Sequence, residues 1–128
     1  MNNKVELFLE RIKKLDTFGR VKFVFLFGSY SEGKESKLSD IDFAVYYEDR
    51  KEERLHFRKK LLSVLSDNFD VQIFQDLPLF IRIQVLKGRL IYFKDRLFVY
   101  DMAYETIKKF EDFKKYYQDY INKTNIFK

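Results

Sequence analysis

Cysteine and tryptophan are absent from the 128 residues, proline occurs once and glycine four times. Without cysteine there is no disulfide framework, no thiolate metal site and no thiol nucleophile. The scarcity of Pro and Gly, with no low-complexity stretch and no internal repeat, offers no linker, so residues 1–128 read as one domain. Long apolar runs are missing too. The longest, Phe23 to Phe27, falls far short of the roughly 20 residues that cross a bilayer. The opening stretch MNNKVELFLERIKKL interleaves charge with apolar residues, unlike a signal peptide. A cytoplasmic protein with no membrane partner is the expectation.

Charge and aromatic residues are what the chain has in quantity. The 25 basic and 20 acidic residues give a net charge of +5, but the signs are mixed, as in EDRKEERLHFRKK. Such mixing marks a solvated helix face, so direct nucleic-acid binding is not expected. Fifteen Phe and nine Tyr supply an aromatic core for a chain long enough to bury one.

Hydrophobic periodicity then sets out the elements. Val5, Phe8, Leu9, Ile12 and Leu15 predict a helix over 3–16, and VKFVFLF predicts a buried strand over 21–27. DIDFAVYY (40–47) is a second strand, and residues 51–66 form a helix with Leu55, Leu62 and Leu65 on one side. FDVQIF (69–74) alternates as a third strand. PLFIRIQVL (78–86) is a short helix opened by Pro78 and closed by Gly88 as C′ residue. RLIYF (89–93) is a fourth strand, and 95–123 a long final helix. The fold class is α/β (mixed α+β), a small mixed sheet of about four strands flanked by helices.

The segment LFGSYSEGKESKLSDIDFAV (26–45) carries the chemistry. Gly28 to Lys34 matches the phosphate-binding G-x-x-x-x-G-K, yet Glu35 replaces the Ser or Thr that would ligate magnesium. Only five residues separate Lys34 from Asp40, where a strand begins, so the helix that a P-loop needs does not fit. The glycines suit another arrangement. Gly28 follows a strand and lacks a Cβ, so backbone can approach a ligand. Ser29 offers an N–H and a hydroxyl to phosphate at the start of a short turn over 29–33.

Asp40 and Asp42, two apart on a strand, project from one sheet face about 6.6 Å apart. Asp70 and Gln72 share the polar side of the third strand, so pairing the apolar faces brings Asp70 to the other two. Three carboxylates on one face repel unless a cation neutralises them. Oxygen-only ligands favour Mg²⁺, with Mn²⁺ as a substitute. A phosphate-holding turn beside such a metal equips a protein for phosphoryl or nucleotidyl transfer.

Gly28-Ser29, Gly33 and Ser39-Asp40-Ile41-Asp42 resemble the G-S-x-x-x-G-x(5)-S-D-x-D signature of the DNA polymerase β-like nucleotidyltransferases, and Asp70 resembles their third carboxylate. The likeness extends through PLFIRIQVLKGRLIYFKD and the terminal helix to the minimal nucleotidyltransferases (MNT), antitoxin partners of HEPN-domain ribonucleases. It implies a palm-like catalytic core over about 20–94, Mg²⁺, ATP as donor, and AMP transfer to a tyrosine of a HEPN toxin. By position it implies Asp40, Asp42 and Asp70 as metal ligands and catalytic residues, with Asp70 also the base. Gly28, Ser29 and Ser39 would bind the nucleotide. The alternatives are an antitoxin that acts by stoichiometric binding and a small-molecule nucleotidyltransferase. Lys34, Lys37 and Arg82 are further candidates for phosphate contact, and His56 reads as surface. The aromatic stripe Phe110, Phe113, Tyr117 and Tyr120 lies on a helix of about 43 Å, against a diameter of roughly 36 Å for a compact chain of this length. Its distal end is expected to run past the sheet.

Overall fold

Apolar residues on both faces of one strand set the architecture. In β1 (Val21–Phe27), Val21, Phe23, Val24, Phe25 and Leu26 are all buried, which requires helices above and below the sheet. A computed structural model of the protein describes residues 3–28 and 40–124. Around β1 stand α1 (Asn3–Leu15), β2 (Ile41–Tyr47), α2 (Lys51–Ser63), β3 (Phe69–Ile73), α3 (Leu79–Leu86), β4 (Arg89–Phe93) and α4 (Arg96–Thr124). The strand order is β3-β2-β1-β4. β1 runs antiparallel to β2 and β4, while β2 and β3 are parallel, so the sheet is mixed as expected.

Each face has its own core. On one side Val5, Phe8 and Ile12 of α1 and Phe57 and Leu61 of α2 cover Val24, Leu26, Ile41, Phe43, Val45, Phe69 and Val71. Phe8 lies flat on Phe43, with ring centroids 3.7 Å apart. On the other side Phe23, Phe25 and Ala44 meet Phe74, Val85 of α3 and Val99 of α4. The outer edge of β3 is closed by a side chain: Arg58 Nε donates to the Val71 carbonyl at 2.6 Å.

Element bounds follow the sequence reading within three residues, with three differences of physical interest. In α2 the buried residues are Phe57 and Leu61, Leu62 is partly buried against the same core, as is Leu65 just past the helix end, and Leu55 is exposed. At about 100° per residue Phe57 and Leu61 lie roughly 40° apart, and Leu55 lies roughly 140° from their midpoint. β3 stops at Ile73, and Phe74–Asp76 form a single 3₁₀ turn that sends the buried Phe74 ring to the α3 face. Pro78 is the N-cap of α3 rather than its first helical residue.

Gly88 follows the C-cap Lys87, and its N–H donates to the Val85 carbonyl at 2.9 Å, but its backbone is not left-handed. Its lack of a side chain serves a close approach instead. A Cβ there would fall inside van der Waals contact with the Leu26 carbonyl oxygen and 3.0 Å from Phe27 Cα, both backbone of β1. Gly88→Ala is therefore expected to push β4 from β1 and destabilise the fold by about 1–3 kcal/mol, read as a lower urea midpoint.

α4 is covered only in its first half. Val99 and Thr106 are buried, and beyond Thr106 no described residue of the helix is. Phe113, Tyr116, Tyr117 and Tyr120 are each more than half exposed, as the length comparison anticipated.

Candidate active site

Parallel pairing puts Asp42 directly opposite Asp70, and Ala44 opposite Gln72. Neighbouring strands lie about 4.8 Å apart, so the two carboxyl groups share one space. Alternation keeps Ile41, Phe43, Phe69 and Val71 in the core under α1 and α2 and turns the acids to the opposite face. Asp40, exposed, stands just before β2.

Asp42 senses both neighbours. Its pKa is pushed up to about 6, first by burial, then by the charge of Asp70, a hydrogen bond between the two carboxyl groups and the charge of Asp40. Gln72, two residues beyond Asp70 on the same face, donates Nε2 to Asp70 Oδ1 at 3.2 Å and holds that carboxylate in place. Gln72 is the site residue that sequence reasoning placed on the right face without giving it a role.

Gly28 completes the group from β1. Phe27 is the register partner of Asp42, and Gly28 follows with φ +78°. A Cβ at Gly28 would stand 2.5 Å from Asp42 Oδ2. The glycine thus permits a left-handed turn and leaves the space that the carboxylate occupies. Ser29, Gly33, Lys34, Lys37 and Ser39, with the short turn expected over 29–33, lie outside the described residues.

The donor set fits a hard divalent cation. Its ligands are carboxylate oxygens, suited to Mg²⁺ or Mn²⁺. Among the described residues no three acidic or imidazole side chains are gathered closely enough to enclose an ion. Mg²⁺ does not need that, because it is commonly held by one or two carboxylates and completes its octahedron with water and substrate phosphate. The upward push on the Asp42 pKa, by burial and by the charge of Asp70, marks the place where a cation would relieve repulsion.

The raised Asp42 pKa gives the ion-free protein a pH-dependent stability. The folded state binds the Asp42 proton more tightly than the unfolded chain, whose pKa is near 3.8. Asp42 therefore stabilises the fold fully below about pH 3.8 and loses that contribution as pH rises through about 6. Asp49 shifts the other way, held low by the Arg50 N–H and by Arg20, so its titration falls below this window. The melting temperature in metal-free buffer is expected to fall between pH 4.5 and 7, and added Mg²⁺ should flatten the slope.

Two other features lie apart from the acids. A cavity of about 420 Å³ at the far end of β2 is lined by Phe18, Arg20, Tyr47, Asp49 and His56, and Arg20 is ion-paired to Asp49. His56 is exposed there. Arg82 donates Nε to the Leu77 carbonyl at 3.1 Å, which ties it to the start of α3.

Residues 10–97 match the family model "Polymerase beta, Nucleotidyltransferase". MJ1547 of Methanocaldococcus jannaschii, assigned as a protein adenylyltransferase, is 30% identical over 92 residues, covering 72% of this chain and 71% of that one. A chain of a toxin–antitoxin crystal structure with AMP-PNP matches with a TM-score of 0.71 at 25% identity, over 96% of this chain and 98% of that one. A chain of the complex between tri-AMPylated Shewanella oneidensis HEPN toxin and MNT antitoxin matches with a TM-score of 0.65 at 24% identity, over 93% and 97%. At that identity the second structure speaks for the fold.

Proposed function

Because the chain belongs to the polymerase beta nucleotidyltransferase family, we propose that it is an antitoxin that transfers AMP from ATP to a tyrosine of a HEPN-domain ribonuclease and so silences it. The observation that carries this reading is Asp42 facing Asp70 across the β2–β3 pair, with Gly28 left open against Asp42. The relative with AMP-PNP supports ATP as donor, the protein adenylyltransferase relative supports a protein acceptor, and a HEPN protein as that acceptor follows from the resemblance to the minimal nucleotidyltransferases. No helix among the described residues is long and apolar enough to cross a membrane, and we place the reaction in the cytoplasm.

Asp40 and Asp42 are assigned as ligands of the divalent ions, with Asp70 completing one site. When bound, Mg²⁺ neutralises triphosphate charge and orients the α-phosphorus. Gly28 is assigned to the outer phosphates, and Ser29 and Ser39 are assigned to the nucleotide by their positions in the family motif. Asp70, steadied by Gln72, accepts the proton of the tyrosine hydroxyl. The phenolic oxygen bonds to the α-phosphorus as the bond to the bridging oxygen breaks, giving O-adenylyl-tyrosine and pyrophosphate. The whole chain acts as one domain in this scheme.

The test is incubation with a cognate HEPN-domain protein, Mg²⁺ and labelled ATP. Label and one or more AMP mass increments on a tyrosine are expected, and an unlabelled partner refutes the reading. The exposed aromatic half of α4 favours one alternative, neutralisation by contact alone. That alternative requires an Asp40→Ala/Asp42→Ala chain to protect cells from the toxin as well as the native chain does.

A further inference from the structure

We infer that the distal half of α4 docks a helix of the toxin partner, one whose apolar seam is flanked by acidic residues. The partner's identity rests on the proposed function; the surface itself does not depend on catalysis. Val99, Ala103, Thr106, Phe110, Phe113, Tyr117 and Tyr120 follow each other at alternating steps of four and three residues. Val99 and Thr106 spend this stripe on the core. After Thr106 it continues in phase, with Phe113 and Tyr117 54% and 51% exposed and stacked on each other at 6.2 Å. A sustained 4–3 step is the spacing that meshes with another helix, and clustered aromatics are the side chains that anchor interfaces.

Charge selects the occupant. The positions bordering the seam hold Ile107, Lys109, Lys114, Tyr116, Ile121 and Lys123, so every ionic residue among them is basic. The acids Glu111, Asp112 and Asp119 sit toward the back of the helix. Lys114 lies over the Phe110 ring at 5.4 Å and 3.8 Å from Glu111, an exposed contact that leaves its charge available. A second copy of this chain is disfavoured. In parallel pairing Lys109 would meet Lys114 of the other copy, and in antiparallel pairing lysines again face lysines. A helix with Asp or Glu beside its seam satisfies all of these positions.

Phe113, Lys109 and Lys114 are exposed, so their exchange leaves the fold intact, checked by an unchanged melting temperature. With the full chain and its cognate HEPN-domain protein, Phe113→Asp is expected to weaken binding about 30-fold or more. Lys109→Glu with Lys114→Glu is expected to weaken it about tenfold. Asp42→Asn is expected to bind like the native chain. Native affinity in Phe113→Asp, tighter binding on charge reversal, or no binding of the native chain overturns the inference. So does a dimer of the isolated chain in sedimentation that Phe113→Asp dissociates. Docking is read in binding alone, so a native chain that binds without transferring AMP counts against the catalytic reading and supports this one.

Discussion

Exchange of Asp42 for Asn is expected to lower AMP transfer about 10³-fold while raising the melting temperature of the ion-free protein at pH 7.5. The rate loss follows if Asp42 is the metal ligand proposed, a role worth several kcal/mol of transition-state stabilisation, with each 1.36 kcal/mol a factor of ten. The gain in stability follows from the same carboxyl group, whose charged form is opposed by burial, Asp70 and Asp40. Asparagine keeps the shape and drops the charge. Movement of the two readouts in opposite directions separates a catalytic role from a structural one, which would lower both. Unchanged Mg²⁺-ATP affinity in the variant contradicts the metal role. Ser29→Ala should lose much less, because the backbone N–H groups remain.

The second large effect concerns Phe43, the next residue in β2. It is fully buried, stacked on Phe8 at 3.7 Å and near Phe69 at 6.0 Å. Phe43→Ala is expected to cost about 3–5 kcal/mol of unfolding free energy from lost burial and the cavity left behind. Urea denaturation would show a lower midpoint with an unchanged slope. A double-mutant cycle with Phe8→Ala should return a coupling of about 0.5–1.5 kcal/mol for the stacked pair. Additive losses would mean that the rings only fill space.

Much of this was legible because β-strands have a period of two. Alternation in DIDFAVYY and FDVQIF sorted every residue of β2 and β3 to its face, so Asp42 and Asp70 could be brought together before the pairing was known. What sequence could not supply were distances between segments remote in the chain. Gly28 was read as a way for a ligand to approach backbone, and its nearest obstruction is the Asp42 carboxylate. Gly88 was read as a helix stop, and it is the contact surface for β1. On α2 the sequence reading was right for Leu62 and Leu65, which pack partly buried against the core, and wrong for Leu55, while the buried Phe57 and Leu61 were passed over in a helix charged nearly all round.

Opposite faces of β2 and β3 hold the greasiest and the most acidic residues of the pair, one position out of step. Sliding β3 by a single residue would drive Asp70 into the packed rings of Phe8 and Phe43 and expose Phe69 beside Asp42. A one-residue slip therefore cannot keep the core and lose the acid pair, or the reverse. A chain with that error would lose its core together with its acid pair, so this misfolding yields no compact form with the two carboxyl groups misplaced.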